Sequence, residues 1–331
     1  MMTASTARRP RHPRLPVVEE VLGGRFEVLG MLGEGGMGHV FRVLDRQRGR
    51  EVALKLLTPR YLGRPEREAR FLRELEFGTR AEHHRHLVEV LEGGRLDRHD
   101  WPFLVMERVP GRDLASRLVH GALEPPLATR LARQVAGAIR ALHRAGVVHR
   151  DVTTMNVLVH EEDAVLIDLS HAGEVAAPQL GMGHRRLTRD HEVPGTPHAM
   201  APEQARAEPA HPAMDVYAFG VMLVHMLTGT APEACEREAF IELQREGMVR
   251  PPRIDTRVYR EVPLVLAELV DACTGADPGR RPTMDEVVGR LDALLVVMPV
   301  AAADPSGPVP AANEGVSAED VVVRGVEGEE A

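Results

Sequence analysis

Apolar and polar residues alternate in short runs along the first third of the chain and follow a helical period along most of the rest. Between residues 26 and 106, short apolar or alternating runs predict strands, and one longer stretch with helical spacing predicts a helix. The predicted strands cover 26–32, 39–44, 51–57, 87–91 and 103–106, and the predicted helix covers 65–82. This part of the chain is therefore expected to form a small β-rich unit.

Helical periodicity dominates after Gly111. Apolar residues recur at spacings of four, four, four and three and form one stripe along a helix, at Leu127, Leu131, Val135, Ile139 and Leu142. Further helices are predicted over 215–228, 263–273 and 283–295. The pattern indicates an α+β protein with a small β-rich lobe and one main helix over about 24–106, and a larger, mostly helical lobe over about 111–296. A cleft between two lobes is a common place for a ligand.

The two ends of the chain differ from this body in composition. Residues 1–20 are rich in Pro and Arg and predict a disordered basic arm, whereas residues 299–331 predict a disordered acidic tail because they hold few large apolar side chains. The formal net charge is −8, and the tail contributes −6 of it, as one Arg against seven acidic residues. The rest of the chain is close to neutral, which argues against broad binding to nucleic acids.

Export and membrane signals are not apparent in the sequence. The basic N-terminal residues are not followed by an apolar stretch of signal-peptide length, and the apolar run at 294–303 is too short to span a bilayer. Cys235 and Cys273 lie 38 residues apart and form no CxxC pair, which is typical of thiols in a reducing compartment. We therefore expect a cytoplasmic protein without a membrane partner.

A glycine-rich segment with the sequence GEGGMGHV, residues 33–40, lies between two predicted strands. Such a loop lets backbone N–H groups approach phosphates closely, and no helix is predicted at its last glycine, which argues against a dinucleotide-binding fold. The next strand carries Lys55, the only lysine of the chain against 40 arginines. A chain that keeps one compact ammonium among so many guanidinium groups is expected to need it in a confined place. Together, the loop and the lysine indicate a site for a nucleoside triphosphate.

Three polar residues further along the chain suggest chemistry at that site. Asp151 and Asn156 lie five residues apart between a predicted helix and a β-like run, and Asp168 follows the apolar run 165–167. A carboxylate in such a loop can accept a hydroxyl proton, while a carboxamide and a second carboxylate can hold a metal ion. Each residue alone is as consistent with an ordinary turn, but their order and spacing after Lys55 favour a catalytic site.

These motifs resemble those of the eukaryotic-type Ser/Thr protein kinases found in bacteria. The similarity covers about residues 24–296. It includes the tripeptide Gly-Thr-Pro at 195–197 with Ala-Pro-Glu (APE) at 201–203, the sequence DVYAFG at 215–220 and the sequence RRP at 280–282, all in the expected order. Aminoglycoside-type phosphotransferases share the glycine loop and the catalytic Asp, but they are not expected to carry the APE and DVYAFG segments. The resemblance implies a two-lobed kinase fold that transfers the γ-phosphoryl group of ATP, with Mg²⁺, to Ser or Thr hydroxyls of protein substrates.

The resemblance also implies roles for the residues around the phosphates. Lys55 would contact the α- and β-phosphates and pair with a glutamate of the small-lobe helix, for which Glu74 fits the usual offset best, and Glu76 and Glu68 are the alternatives. The loop residues that would cover the phosphates are Leu32, Gly33, Glu34, Gly35, Gly36, Met37 and Gly38.

Further implied roles concern the base, the ribose and the catalytic step. Met106 would be the gatekeeper, backbone groups of Glu107 and Val109 would bond the adenine edge, and Asp113 would reach the ribose. Asp151 would be the base or hydroxyl-orienting group. The remaining implied residues are Val40, Ala53 and Leu158 around the nucleotide, Asn156 and Asp168 as ligands of Mg²⁺, and Glu203 with Arg281 as a structural ion pair.

Three positions depart from the family pattern. Thr153 stands where a lysine usually steadies the transferring phosphate, Ser170 ends a DLS sequence in place of DFG, and Ala199 replaces a Tyr. Loss of one preorganised charge can lower a rate by roughly 10²–10³, and Ser restricts a backbone position that often uses the freedom of glycine. The alternative function is therefore a catalytically impaired, ATP-binding pseudokinase that acts as a signalling scaffold.

The sequence also suggests points of regulation. Thr188 lies among arginines between Asp168 and Glu203 and is the expected activation phosphosite, whose phosphate could pair with Arg150. A regulatory partner is expected to bind through the tails. The histidines at 83, 84 and 86 lack the spacing and the additional ligands of a zinc site and are interpreted as a solvated turn.

Overall fold

The small lobe is built on one antiparallel sheet of six strands. The computed structural model describes residues 14–96, 100–176, 193–231 and 236–298. The strands of this sheet lie in the order β1-β2-β3-β4-β6-β5. They are β1 (Val21–Leu22), β2 (Phe26–Glu34), β3 (Gly38–Asp45), β4 (Arg50–Leu57), β5 (Val90–Leu96) and β6 (Trp101–Glu107), and helix α1 (Pro65–Arg80) follows β4 in the chain.

Burial of large apolar side chains holds this lobe together. Phe26, Phe41, Leu54 and Leu104 are almost fully buried in one cluster, and α1 adds Phe71 to it. At roughly 1.5–3 kcal/mol for each large apolar side chain removed from water, this cluster is the main stabilising element of the sheet. The Glu19 N–H also donates to the Val28 carbonyl at 2.8 Å, which joins the residues before β1 to β2.

The fourth predicted strand begins later than the apolar run at 87–91 indicates. Residues 86–88 bond instead to the larger lobe, where the Leu166 N–H donates to the His86 carbonyl and the Val88 N–H donates to the Leu166 carbonyl, both at 2.9 Å. The apolar run is therefore shared between two lobes, and β5 starts only at Val90. The small lobe is thus joined to the larger lobe both by this segment and by the chain that follows β6.

The larger lobe is mostly helical, as the periodicity predicts. Its helices are α2 (Leu114–Leu118), α3 (Pro125–Arg144), α4 (Pro202–Ala205), α5 (Pro212–Thr228), α6 (Arg237–Arg245), α7 (Leu264–Cys273) and α8 (Met284–Val297). Short strands lie beside the cleft, namely β7 (Arg112–Asp113), β8 (Val147–Val148), β9 (Val157–His160), β10 (Asp163–Leu166) and β11 (Gly173–Glu174). The predicted two-lobed α+β fold is confirmed.

Helices α3 and α5 form the centre of the larger lobe. Leu131, Val135, Ile139 and Leu142 of the predicted stripe are completely buried, and α3 packs against both α8 and α5. Helix α5 is apolar on nearly every side and lies within the core, which suits a helix surrounded by others. Buried Asp215 in its first turn is the exception, and it accepts from the His149 N–H.

Helices α2 and α6 were not predicted from the sequence. Helix α2 has five residues, too few to show a period, and it forms because the Asp113 side chain caps it by accepting from the Ser116 N–H at 2.7 Å. Helix α6 buries only Ile241 and Gln244, so it has no apolar stripe to detect. Its buried glutamine instead donates to the Met200 carbonyl at 2.7 Å.

Candidate active site

The glycine-rich segment forms the turn between β2 and β3. The Gly35 N–H donates to the Gly38 carbonyl at 2.8 Å, which closes the turn. Glycines in this turn have negative φ angles, so close approach and not left-handed backbone explains the residue type. A Cβ on Gly38 would lie 2.6 Å from the Leu56 carbonyl oxygen, whereas a Cβ on Gly33 or Gly36 would meet nothing within 4 Å. The open side of the turn is therefore free for a ligand.

Some residues of the turn and its flanks are exposed, and others are buried in the core of the small lobe. Leu32 and Glu34 are exposed at the end of β2. The side chain of Met37 is buried in the small-lobe core, and its carbonyl accepts from the Thr58 N–H at 3.0 Å. Met37 therefore anchors the turn, and its side chain does not face the cleft as a contact for phosphates would.

Lys55 lies at the centre of a buried ionic cluster. Its Nζ is 2.9 and 2.8 Å from the two carboxylate oxygens of Glu74 and 2.8 Å from Oδ1 of Asp168. The other two candidates are engaged elsewhere, since Glu76 pairs with Arg80 and Glu68 pairs with Arg95. The structure thus selects Glu74 among the three glutamates, and the cluster joins β4, α1 and the segment after β10.

Electrostatics within this cluster favour the charged form of the lysine. Burial opposes the charge, but Asp168 and Glu74 outweigh it and hold the pKa of Lys55 above its ordinary value. Burial likewise works against ionisation of Asp168, yet Lys55 keeps the pKa of that carboxyl well below its usual range. Burial raises the pKa of Glu74, and Lys55 offsets part of that shift. A phosphate entering the cleft would meet a lysine that is charged and fixed in position.

The predicted base-binding residues converge on an apolar slot between the lobes. Ala53 and Met106 are buried there, with Val40 and Val109 packed against them. From the other lobe, Leu158 of β9 pairs with Asp113 of β7. The apolar side chains of this cluster are suited to contact with a flat heterocycle.

Backbone groups beside the slot differ in what they can offer a ligand. The Glu107 N–H donates to the Glu89 carbonyl at 3.0 Å and is thus in use. Among the described residues, no partner is recorded for the Val109 N–H. Both carboxylate oxygens of Asp113 bind Ser116, through the backbone N–H at 2.7 Å and the hydroxyl at 2.6 Å. A ribose contact at Asp113 would therefore share a carboxylate that already caps α2.

Asp151 is buried and held from several sides. Its Oδ1 accepts from the Thr196 N–H at 2.7 Å, and its Oδ2 accepts from Nδ2 of Asn156 at 2.8 Å. Nδ1 of His171 lies 3.4 Å from the same Oδ2. Although burial opposes ionisation, His171 and the Thr196 N–H keep the pKa of Asp151 below its ordinary value. The carboxylate is therefore ionised and oriented near neutral pH.

The backbone that presents Asp151 is fixed by the buried carboxylate of Asp215. Asp215 accepts from the His149 N–H at 2.8 Å and from the Arg150 N–H at 2.7 Å, and His143 contacts it at 2.8 Å. Arg150 has a φ of 63°, a conformation that L-residues seldom adopt. Helix α5 thus holds the segment before Asp151 in a strained form, and no sequence motif indicated the contact of Asp215 with His143.

Asn156 and Asp168 have the donor atoms that Mg²⁺ prefers. Nδ2 of Asn156 donates to the carbonyl and the carboxylate of Asp151, which leaves its amide oxygen without a recorded partner among the described residues. Asp168 uses Oδ1 for Lys55 and for the Ser170 N–H. One amide oxygen and one carboxylate oxygen fit an ion that keeps several waters and binds phosphates alongside few protein ligands. No group of three His, Cys, Asp or Glu side chains placed for a metal occurs in the described ranges.

The family departures have distinct structural outcomes. Ser170 is absent from the residues with positive φ, whereas Asp168 has a φ of 65°, so strain is located at the aspartate and the serine fits without it. Thr153 is 8% exposed, and its hydroxyl has no hydrogen-bond partner. Ala199 is buried and lies in a short helical turn. Of the three departures, only Thr153 leaves a polar atom unsatisfied.

Two remaining sequence expectations concern the larger lobe. Arg281 binds both oxygens of Glu203 at 2.6 and 3.0 Å in a buried pair, as the RRP and APE motifs imply. Thr188 lies outside the described residues, as do most of the basic arm and the whole acidic tail. The guanidinium of Arg150, its expected partner, donates to the carbonyls of His171 and Ala172.

Comparison with known proteins identifies the family. The family model for the protein kinase domain matches residues 26–290 of this chain. The chain belongs to the protein kinase domain family. Serine/threonine-protein kinase PknL of Mycobacterium tuberculosis is 34% identical over 270 residues, which cover 81% of this chain and 65% of that relative. Serine/threonine-protein kinase PrkC of Bacillus subtilis is 30% identical to this kinase domain chain over 265 residues, which cover 78% of it and 39% of PrkC.

The kinase domain chain spans less than two thirds of the length of these curated relatives. In the parts that the structure describes, the helices are too short or too polar for any of them to traverse a lipid bilayer.

His171 lies beside Asp151 in the site, although sequence analysis did not single it out. Its only signal is a position three residues after Asp168.

Proposed function

We propose that the chain is a protein Ser/Thr kinase that transfers the γ-phosphoryl group of Mg-ATP to hydroxyl groups of protein substrates. The observation that carries this proposal is the position of Lys55, whose Nζ contacts Glu74 at 2.8 Å and Asp168 at 2.8 Å in the cleft. Membership of the protein kinase domain family supports the same activity. Because cells keep their ATP in the cytoplasm, the proposed reaction takes place there.

The contacts described above support a role for each residue of the site. Lys55 contacts the α- and β-phosphates, while Val40, Ala53, Met106 and Val109 enclose the adenine. Mg²⁺, when bound, neutralises phosphate charge and orients the oxygens of the transferring group. Asn156 and Asp168 would hold that ion, since the amide oxygen of Asn156 and Oδ2 of Asp168 are not used in the contacts with Asp151 and Lys55.

Asp151 acts on the acceptor hydroxyl. Its ionised carboxylate is oriented by the Thr196 N–H and by Nδ2 of Asn156. A carboxylate fixed in this way can accept a hydrogen bond from a serine or threonine hydroxyl and take its proton as that oxygen bonds to the γ-phosphorus, while the bond from the γ-phosphorus to the β-phosphate oxygen breaks and ADP leaves. Placing both reactants in one geometry supplies much of the rate enhancement in such reactions.

Regulation belongs to the same proposal. Thr188 is proposed as an activating phosphosite, and its phosphate would pair with Arg150 and order the segment between Asp168 and Glu203. A regulatory partner is proposed to bind through the terminal segments. Phosphosite mapping after incubation with Mg-ATP tests the first point, and phosphate confined to the terminal segments would contradict it.

Transfer of labelled phosphate tests the main proposal. Purified chain with Mg-ATP is expected to label itself or a generic protein acceptor, and Lys55→Met is expected to lower the rate by about 10²–10³ or more because it removes the buried cation from the phosphates. Nucleotide-dependent thermal stabilisation without any transfer would instead support the pseudokinase alternative. Labelling of a low-mass acceptor with no labelled protein would indicate a small-molecule phosphotransferase.

A further inference from the structure

His171 occupies a defined position beside the catalytic carboxylate. Its Nδ1 lies 3.4 Å from Oδ2 of Asp151 and 3.3 Å from the Ser170 hydroxyl. The backbone under it is fixed, because Arg150 donates to the carbonyls of His171 and Ala172 at 2.8 and 2.9 Å. The imidazole is 27% exposed and thus borders the cleft. Hydrogen bonds of catalytic groups are often long before substrate binds and shorten afterwards.

The donors around Asp151 determine what remains for a substrate. An ionised carboxylate has about four acceptor positions and no proton to donate. The Thr196 N–H and Nδ2 of Asn156 occupy one position on each oxygen, and His171 approaches the second position of Oδ2. Since Asp151 can only accept, the imidazole must carry its proton on Nδ1 to bind it. One position, on Oδ1, is then left for an acceptor hydroxyl.

The surroundings offer few other side chains for this task. Lys55 is the only lysine of the chain, and its ammonium is bound by Glu74 and Asp168. Thr153, two residues after Asp151, is buried with an unpartnered hydroxyl and carries no charge. The imidazole of His149 contacts the backbone N–H of Asp151 at 3.3 Å, whereas Nδ1 of His171 faces the carboxylate itself at 3.4 Å.

The geometry points to His171 as a positioning residue of the transfer reaction, which holds the Asp151 carboxylate in the orientation that leaves one lone pair for the acceptor hydroxyl. This inference rests on the proposed kinase function. In this inference the imidazole of His171 makes a contact with Asp151 that the side chain of Thr153 does not make. The Nδ1–H also helps to keep the pKa of Asp151 low.

Three substitutions at one position separate positioning from packing. In His171→Asn the side-chain amide nitrogen takes the place of Nδ1, in His171→Gln it takes the place of Nε2, and His171→Leu has no donor. We expect His171→Leu and His171→Gln to lower kcat about 10- to 100-fold with little change in KM for Mg-ATP. His171→Asn should keep at least about half of the wild-type kcat, since it retains a donor where Asp151 needs one.

The measurement is the initial rate of phosphate transfer to a generic protein acceptor at varied Mg-ATP. His160→Leu, at an exposed histidine of β9, is the control for loss of an imidazole elsewhere in the same lobe and should behave as wild type. If His171→Leu does not fold, the two amide variants still decide the question, because both are polar and differ by one methylene.

Distinct outcomes separate this inference from the proposed function. An unchanged kcat in His171→Leu, a His171→Gln variant as active as His171→Asn, or an effect confined to KM for Mg-ATP would overturn the positioning role while the kinase activity stands. A wild-type chain that transfers no phosphate would overturn the proposed function itself, before any variant is compared.

Discussion

Two glycines of the turn between β2 and β3 meet very different surroundings. A Cβ on Gly38 would lie 2.6 Å from the Leu56 carbonyl oxygen, while a Cβ on Gly36 would have nothing within 4 Å. We expect Gly38→Ala to lower the free energy of unfolding by about 1–3 kcal/mol, because β4 must move away from the added methyl. Gly36→Ala is the matched control and should stay within about 0.5 kcal/mol of wild type in urea denaturation. Equal stabilities would contradict the close packing at Gly38.

Residue spacing revealed some site residues and concealed others. Asp151, Asn156 and Asp168 could be found because the motifs fix their separations. The choice among three glutamates could not be made from sequence, since residues two apart point to different sides of a helix and the register of α1 against β4 was unknown. The structure resolves it by burying Glu74 and exposing Glu76. His171 had no motif to reveal it, because its role depends on a chain fold that brings it to Asp151.

Among the elements, α4 is tied to the segment before α8 by the buried pair of Glu203 and Arg281. Both side chains are at most 2% exposed, and Arg281 also donates to the Ala213 carbonyl at 2.8 Å at the beginning of α5. Two helices, α4 and α5, therefore meet at the guanidinium of a residue that precedes α8. The APE and RRP motifs predicted the pair, while the third contact with α5 required the structure.

Removal of one partner would leave a charge buried without compensation. Glu203→Ala is expected to lower the free energy of unfolding by about 3–5 kcal/mol. The exposed pair of Arg206 and Glu208 provides the control. Glu208→Ala should change the free energy of unfolding by less than about 1 kcal/mol. Urea denaturation at neutral pH measures both variants. Similar losses in the two variants would show that burial does not set the strength of the Glu203 pair.

The predictability of the elements followed their amphipathic character. Helix α3 could be predicted because its buried residues recur at helical spacing, and β5 was misplaced because the apolar run before it bonds to Leu166 of the other lobe. Helix α6 escaped prediction because its polar face dominates and a glutamine supplies much of its buried contact. Tertiary contacts, which local pattern does not contain, decided both cases.

At the scale of the whole molecule, several buried carboxylates link stability to pH. Despite burial, Asp215 has a lowered pKa because His143 and backbone N–H groups contact it, and contacts likewise lower the pKa values of Asp151 and Asp168. A carboxyl whose pKa is lower in the folded state stabilises the fold above its unfolded pKa, and that contribution is lost as pH falls. The raised pKa of Glu74 acts in the opposite direction.

Of these four buried carboxyls, three have a lowered pKa and one has a raised pKa, so the fold should lose stability in acid. We expect Tm to change little between about pH 6 and 8 and to fall steeply below about pH 4, where unfolded aspartates begin to bind protons. Thermal unfolding across this range in one buffer series of constant ionic strength measures the effect. A Tm that stays level down to about pH 3 would contradict the assigned shifts.

The solitary lysine also makes the chain its own reporter. Because Lys55 has the only side-chain amine in the sequence and is 5% exposed, an amine-directed reagent has one lysine to modify. The rate of that modification should follow how often Nζ leaves Glu74 and Asp168. Mass spectrometry of the peptide that contains acylated Lys55 would therefore record opening of the cleft, and its suppression by nucleotide, without any introduced label.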